Sequence, residues 1–282
     1  MIPFVVASGS VPGTDHTKPG QSAWTNNHDA VAHVVGKDHL VAVVADGCGS
    51  GAHSEIGSGV GVQLVVTLIS DMVENIVHRD PEPVLDESFW ERIATMTVGH
   101  LAVLARSMGR SISTIVNDYL LFTLVGIVVL PCRTYVFSLG DGMYAVNGRI
   151  ELLGPFPNNS PPYLMYRLTG SSLGHHDPAQ LRIKVNEIIP TSTFEHGIIG
   201  TDGVCDLVRC VECAMPQRNE VVGPLSQFWT DVRYVRNADM IRRRLALMNK
   251  EYAVNNRIMR GLLHDDTTLA LVRRLPPQGE GA

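Results

Sequence analysis

Apolar residues in this chain gather into short unbroken runs that stop at glycine, proline or an acid. Such runs predict strands over 3–8, 30–35, 40–45, 120–130, 133–139, 143–147, 149–153, 183–189, 196–200 and 267–273. Pro131 and Asn147-Gly148 mark two of the turns between them. Helical spacing replaces strand spacing in three places. The first is 54–78, with Ser54 as N-cap and Glu55 in the first turn. Gly57, Gly59 and Gly61 weaken that helix or let it come close to a sheet. The second is 86–108, capped by Asp86, with Phe89, Ile93, Met96, Leu101 and Leu104 in register and Gly109 as the stop. The third is about 238–252, after Asn237. Residues 154–182, rich in Pro, Asn and Ser, read as a long surface excursion, and LPPQGEGA (275–282) as a disordered tail. No repeat or linker divides the rest, so one domain over 1–274 is expected. Strands and helices come in blocks, which predicts an α+β fold with mostly antiparallel sheet and helices outside.

Composition narrows the class. The chain has 282 residues, 45% of them hydrophobic, enough for a substantial core. The net charge of −5 and the lack of a long charge run give no reason to expect nucleic acid or an anionic membrane as partner. Arg242 to Arg244 reads as a solvated helix face. The start MIPFVVASGS lacks the charged segment of a signal sequence, and LLFTLVGIVVLPC is too short to span a bilayer as a helix. Five cysteines, an odd number, argue against a disulfide framework. A cytoplasmic location is expected.

The chemistry sits where the strands stop. Asp46 follows VAVVA, Asp141 follows YVFSLG and Asp202 follows GIIGT, each with glycine next; Asp265-Asp266 precede the last strand. Asp-Gly is also a favoured hairpin turn, and Asp141-Gly142 between two strands could be no more than that. Asp46 resists that reading, since a glycine-rich loop and a helix follow it. Carboxylates distant in sequence but gathered at strand tips suit hard divalent cations. Cys210 and Cys213 form a single CxxC without a second pair. His175-His176-Asp177 reads as polar loop, and Cys48 as small-residue packing beside the acids.

The chain resembles the metal-dependent serine/threonine phosphatases of the protein phosphatase 2C type, more closely their divergent bacterial branch. The pieces that carry the resemblance are GTDHTKPG and NNHDA (13–30), VVADGCGSGAHSEIG (43–57), FTLVGIVV (122–129), FSLGDG (137–142), GTDGVCDL (200–207) and DDTTLALVR (265–273), in the family's order. The resemblance implies two antiparallel sheets packed as a sandwich flanked by helices, four layers in all, with two Mg2+ or Mn2+ ions at one end. It implies that Asp46 bridges both ions, that the Gly47 carbonyl reaches the second, and that Asp202 and Asp265 complete the first. Asp141 matches the acid for a third, weaker ion, and Asp29 the acid that orients water. The implied reaction is attack of a metal-bridged hydroxide on phosphoserine or phosphothreonine of a protein. Asp46, Asp202 and His16 are its expected catalytic groups, and a kinase acting on the same protein is an implied partner.

The departures are local. Cys48 stands where animal members have histidine, and His28 where the family has an acid beside Asp29. The arginine that holds phosphate is absent, with Trp24 near its place. His16 or Lys18 is then the candidate phosphate grip, and His16 a candidate acid near neutral pH. A solvated loop histidine is the alternative. Tyr163, Tyr166 and Arg167 lie where the family carries its variable flap and are expected to contribute to substrate choice. Two other functions stay open: a relative that binds a phosphoprotein without turning it over, motivated by Cys48, His28 and the missing arginine, and a hydrolase of small phosphoesters.

Overall fold

The computed structural model describes residues 2–16, 26–80, 82–169 and 177–275. Lys18, Trp24, His175, His176 and residues 276–282 of the expected tail lie outside them. In chain order the strands are β1 (Phe4–Val11), β2 (Ala30–Val35), β3 (Leu40–Ala45), β4 (Leu124–Val129), β5 (Arg133–Leu139), β6 (Gly142–Val146), β7 (Arg149–Leu153), β8 (Lys184–Pro190), β9 (His196–Gly200), β10 (Tyr252–Val254), β11 (Arg257–Met259) and β12 (Thr267–Arg274). The helices are α1 (Ser54–Val77), α2 (Glu87–Ser107), α3 (Ile112–Tyr119), α4 (Tyr166–Thr169), α5 (Val204–Arg209), α6 (Gln227–Thr230), α7 (Arg233–Arg236) and α8 (Met240–Met248).

Two five-stranded antiparallel sheets face one another. One runs β1-β12-β9-β6-β7 and the other β2-β3-β4-β5-β8. Alternation along β3 explains the layering. Leu40, Ala42 and Val44 point between the sheets, where they meet Ile127, Val136, Phe194, Ile199 and Val272. Val41, Val43 and Ala45 point the other way, into a core shared with α1, α2 and α3. In the opposite sheet Ala270 and Val272 face inward, while Leu269 and Leu271 face a third core beneath α5 to α8. Both faces of the central strands are therefore buried, which is why they read as continuous apolar runs and not as alternating ones. The result is the expected α+β sandwich with helices on both outer faces.

Helix α1 is long and apolar enough to cross a membrane by length and composition. Its apolar character has another cause: Val62, Val65, Val66 and Ile69 are buried in the core over β2 and β3. Gly57 and Gly61 serve a different close approach, of α1 to the segment that joins α3 to β4. A Cβ at Gly57 would overlap the Tyr119 carbonyl, and one at Gly61 the Phe122 ring, whereas Gly59 faces open space. Asp86 caps α2 as expected, accepting from the Phe89 N–H at 2.9 Å, and Gly109 follows with φ of +76°. Ser54 is inside its helix, not at the cap; its hydroxyl donates to the Cys48 carbonyl at 2.9 Å.

Three elements depart from expectation. Helix α3, capped by Ser111, precedes β4 and shortens the expected strand 120–130 to Leu124–Val129. The expected helix 238–252 stops at Met248, and Tyr252–Met259 forms the hairpin β10–β11. Its turn is Asn255-Asn256, both at positive φ, the conformation that two-residue hairpin turns require. Asp141-Gly142 is not a hairpin turn, because β5 and β6 belong to different sheets and the chain crosses between them there. Asn147-Gly148 is the hairpin turn expected between β6 and β7.

The two glycines predict opposite outcomes. Gly57→Ala forces backbone apart and should destabilise the fold by about 1–3 kcal/mol, while Gly59→Ala should stabilise it by about 0.5–1 kcal/mol through helix propensity. Urea unfolding of both variants measures the difference; equal midpoints would show that α1 does not need its close approach.

Candidate metal centre

Strand ends from both sheets reach one end of the sandwich. Asp46 follows β3 and Asp29 precedes β2; these strands pair there through Ala30 and Ala45. Asp202 lies just beyond β9 and Asp265 just before β12, which pair through Gly200 and Leu269. Asp141 occupies the crossing from β5 to β6. A cavity of about 240 Å³ is lined by Asp46, Asp141, Asp202 and Asp265, with Gly47, Cys48, Tyr163 and His16 on its wall. The five expected acids are thus brought to one end, and Gly47 with them.

Backbone pairing holds the loops that carry them. The Asp46 carbonyl accepts from the Thr123 N–H at 2.8 Å and the Cys48 N–H donates to the Leu121 carbonyl at 2.9 Å, so the glycine-rich loop is tied to the approach of β4. The Gly47 N–H donates to the His28 carbonyl at 3.1 Å. A Cβ at Gly203 would overlap the Asp266 carbonyl, which fixes how closely the loops after β9 and before β12 pack. Asp29 is buried, and its Oδ2 accepts from the Thr201 hydroxyl at 2.7 Å while its Oδ1 has no partner. Asp141 Oδ1 is likewise buried and unpartnered.

Burial and mutual repulsion dominate the electrostatics. Burial, then the charges of Asp29, Asp202, Asp265 and Asp141, pushes the Asp46 carboxyl well above the carboxylate range. Burial, then Asp265 and Asp141, pushes Asp202 up to about 7. Asp141 and Asp265 are raised by burial too, and His16 partly offsets the shift at Asp265. Asp29 is raised by burial and Asp266, against the hydrogen bonds of Thr201 and Thr268. Hard oxygen donors with orphaned buried atoms, crowded so that their charged forms are disfavoured, are what divalent cations would relieve, so the residues present fit Mg2+ or Mn2+.

A second group lies beside the acids. Asp266 is 1% exposed and accepts from the Gly13 N–H at 2.7 Å and the His28 N–H at 2.6 Å, tying the segments that carry these two residues to the start of β12. His16 Nδ1 approaches Asp266 Oδ2 at 2.9 Å, and its Nε2 lies 3.6 Å from Asp265 Oδ1. Contact with Asp266 raises the His16 pKa, against burial, whereas burial lowers that of His28. Both ring nitrogens of His28 are buried without a hydrogen-bond partner, and an unmet buried polar group costs about 1–3 kcal/mol. Among the described residues only His16, His28 and Asp266 form a trio of ligand atoms within 4.8 Å of one another.

The expected flap behaves differently at each residue. Tyr163 reaches the cavity wall, its ring edge-on to Tyr166 at 5.6 Å. Tyr166 is buried under α2, and Arg167 is committed to Glu91 at 2.6 Å and 2.9 Å and to the Leu181 carbonyl. These two fasten the excursion to α2. Asp266, Glu55 and Thr201 carry site geometry that sequence reasoning does not assign. The doublet Asp265-Asp266 is the one available signal.

Residues 13–232 match the family model described as Protein phosphatase 2C. A solved bacterial serine phosphatase bearing a point mutation superposes with TM-score 0.50 at 15% identity, covering 95% of this chain and 97% of that one. A C. elegans sex determining protein superposes with TM-score 0.52 at 13% identity, covering 99% of this chain and 66% of that one. At such identities the likeness is one of fold. No match was found among curated proteins.

The raised carboxyl groups set the sign of a pH dependence. A folded pKa above the ordinary one gives stability that is full below the ordinary value and lost as pH rises through the folded value. For Asp202 that window runs from 3.8 to about 7. Metal-free protein should therefore lose melting temperature across this window relative to Asp202→Asn, and Mn2+ should remove the difference. Parallel pH profiles for the two proteins would refute this account of the acids.

Proposed function

The chain belongs to the protein phosphatase 2C family, and from that premise we propose that it hydrolyses phosphoserine and phosphothreonine on proteins, with Mg2+ or Mn2+ as cofactor. The observation that carries the reading is the meeting of four acids from both sheets in one cavity, the pKa of each raised by burial and by neighbouring acids. Asp46, with the Gly47 carbonyl, Asp202 and Asp265 would hold two cations, and Asp141 a third, weaker one. When bound, such cations neutralise phosphoryl oxygens and lower the pKa of water, so no covalent protein nucleophile is required.

The chain's own residues position the reactants. Asp29, fixed through Oδ2 by Thr201, keeps Oδ1 to accept a hydrogen bond from water and so orient it. Tyr163 and His16 wall the cavity and limit solvent. Cys48 lies 3.1 Å from the Ser50 hydroxyl, and the leaving alkoxide takes its proton from water at the mouth. A kinase modifying the same protein would supply the substrate. All five cysteines are free thiols, which suits a reducing, cytoplasmic setting.

Phosphate release from p-nitrophenyl phosphate and from a phosphothreonine peptide, with Mn2+, with Mg2+ and with EDTA, tests the reading. Activity should vanish with EDTA, and Asp46→Ala or Asp202→Ala should lower it at least about 10²-fold. Turnover in EDTA would overturn the metal requirement. Peptide binding without release would favour a phosphoprotein-binding relative, the reading that Cys48 and His28 motivate. Faster turnover of nucleotides than of peptides would favour a small-phosphoester hydrolase.

A further inference from the structure

We propose that His16, His28 and Asp266 form a separate binding site for one transition-metal ion of the zinc, manganese or iron(II) class. The site lies beside the four-acid cavity, uses none of the cation ligands assigned above, and stands whether or not the chain is a phosphatase.

Three observations point to a ligand. First, atoms from three distant segments meet: the loop after β1, the residue before Asp29 and the start of β12 bring two ring nitrogens and a carboxylate oxygen within 4.8 Å of one another. Ligands about 2.0–2.3 Å from one first-row ion stand roughly 2.8–4.6 Å apart, so the trio needs at most a few tenths of an ångström of closing to share one. Second, His28 is 1% exposed and neither of its ring nitrogens has a partner. A neutral imidazole buried this way has a lone pair and an N–H that nothing meets. A metal would take the lone pair. Glu55 faces the ring, its Oε2 3.7 Å from His28 Nε2 and itself buried and unpartnered, as a group that orients a ligating histidine would be. Third, His16 Nδ1 and Asp266 Oδ2 are 2.9 Å apart. Two ligands at adjacent corners of an octahedral ion stand at about that separation, given ~2.1 Å bonds.

The carboxylate is already oriented for the task. The Gly13 N–H holds Oδ1 and the His28 N–H holds Oδ2, so Asp266 cannot turn away, and each oxygen keeps a second lone pair. Two imidazoles and one carboxylate make a softer set than the all-oxygen cavity and select for zinc, manganese or iron(II) over Mg2+. An ion here would also fasten the loop containing His16 to β12.

The test uses the full chain with Asp46→Asn and Asp202→Asn, which disables the four-acid cavity and makes turnover irrelevant. After EDTA treatment and dialysis against Zn2+ or Mn2+, elemental analysis should find a single retained ion per chain. Adding His28→Gln should weaken retention at least about tenfold. His16→Ala, at a partly exposed position that threatens the fold less, should do the same. Loading with Co2+ should give visible absorption bands that both histidine substitutions shift. An Asp46→Asn/Asp202→Asn protein that retains no ion, or retains it equally after His16→Ala, would overturn the site and leave His16 and Asp266 as a plain imidazolium–carboxylate pair.

Discussion

Repulsion among carboxylates at one end of the sandwich is the constraint around which this protein is built. Asp46, Asp141, Asp202 and Asp265 would separate if their segments were free to move. They cannot, because each follows or precedes a strand locked in place by packing. β3 carries one core on its helix side and another between the sheets, and β12 does the same in the opposite sheet. Hydrophobic burial over four layers thus supplies the force that crowds like charges. The strained end is where cations gain most, and where chemistry on an anionic substrate becomes possible.

The acids are fixed by backbone as much as by packing. Thr123, Leu121 and His28 hold the loop carrying Asp46, and Asp266 gathers Gly13 and His28 against β12. Family resemblance favours Asp265 over Asp266 as a cation ligand, yet Asp266 is the more buried of the two and the one that orders the site's floor. One acid of the doublet faces the cavity and the other faces the loops, as adjacent residues at the start of a strand must.

Much of this is legible because the strands are buried on both sides. Residues 40–45, 133–139 and 196–200 stand out as apolar runs, and each meets a breaker where the fold turns. Helix α3 is hard to see because its eight residues mix Ser, Thr, Asn and Asp with a few apolar ones, and only the Ser111 cap announces it. The hairpin β10–β11 is hidden by a helical pattern running into it from α8, and Asn-Asn is a weaker turn signal than Asn-Gly. Asp141-Gly142 is ambiguous for a deeper reason: local sequence states that a chain turns but not which sheet the next strand joins. The roles of Glu55 and Thr201 depend on approaches across 27 and 172 residues, counted from His28 to Glu55 and from Asp29 to Thr201, which no local pattern encodes.

The order of strands in the first sheet has a bearing on synthesis. β12, which follows the other described strands in the chain, lies between β1, which precedes them, and β9. Until it arrives, β1 and β9 have bare edges and the sheet lacks a central member. Asp265 and Asp266 arrive on the same segment. Completion of the sheet and assembly of the acid set are therefore one event, and it waits for β12 to be translated. A nascent or prematurely terminated chain lacks both the closed sheet and the full set of acids, so it is a target for chaperones and proteases before it can act on anything. Topology here serves as proofreading, since no chain acquires the site without having been read through β12.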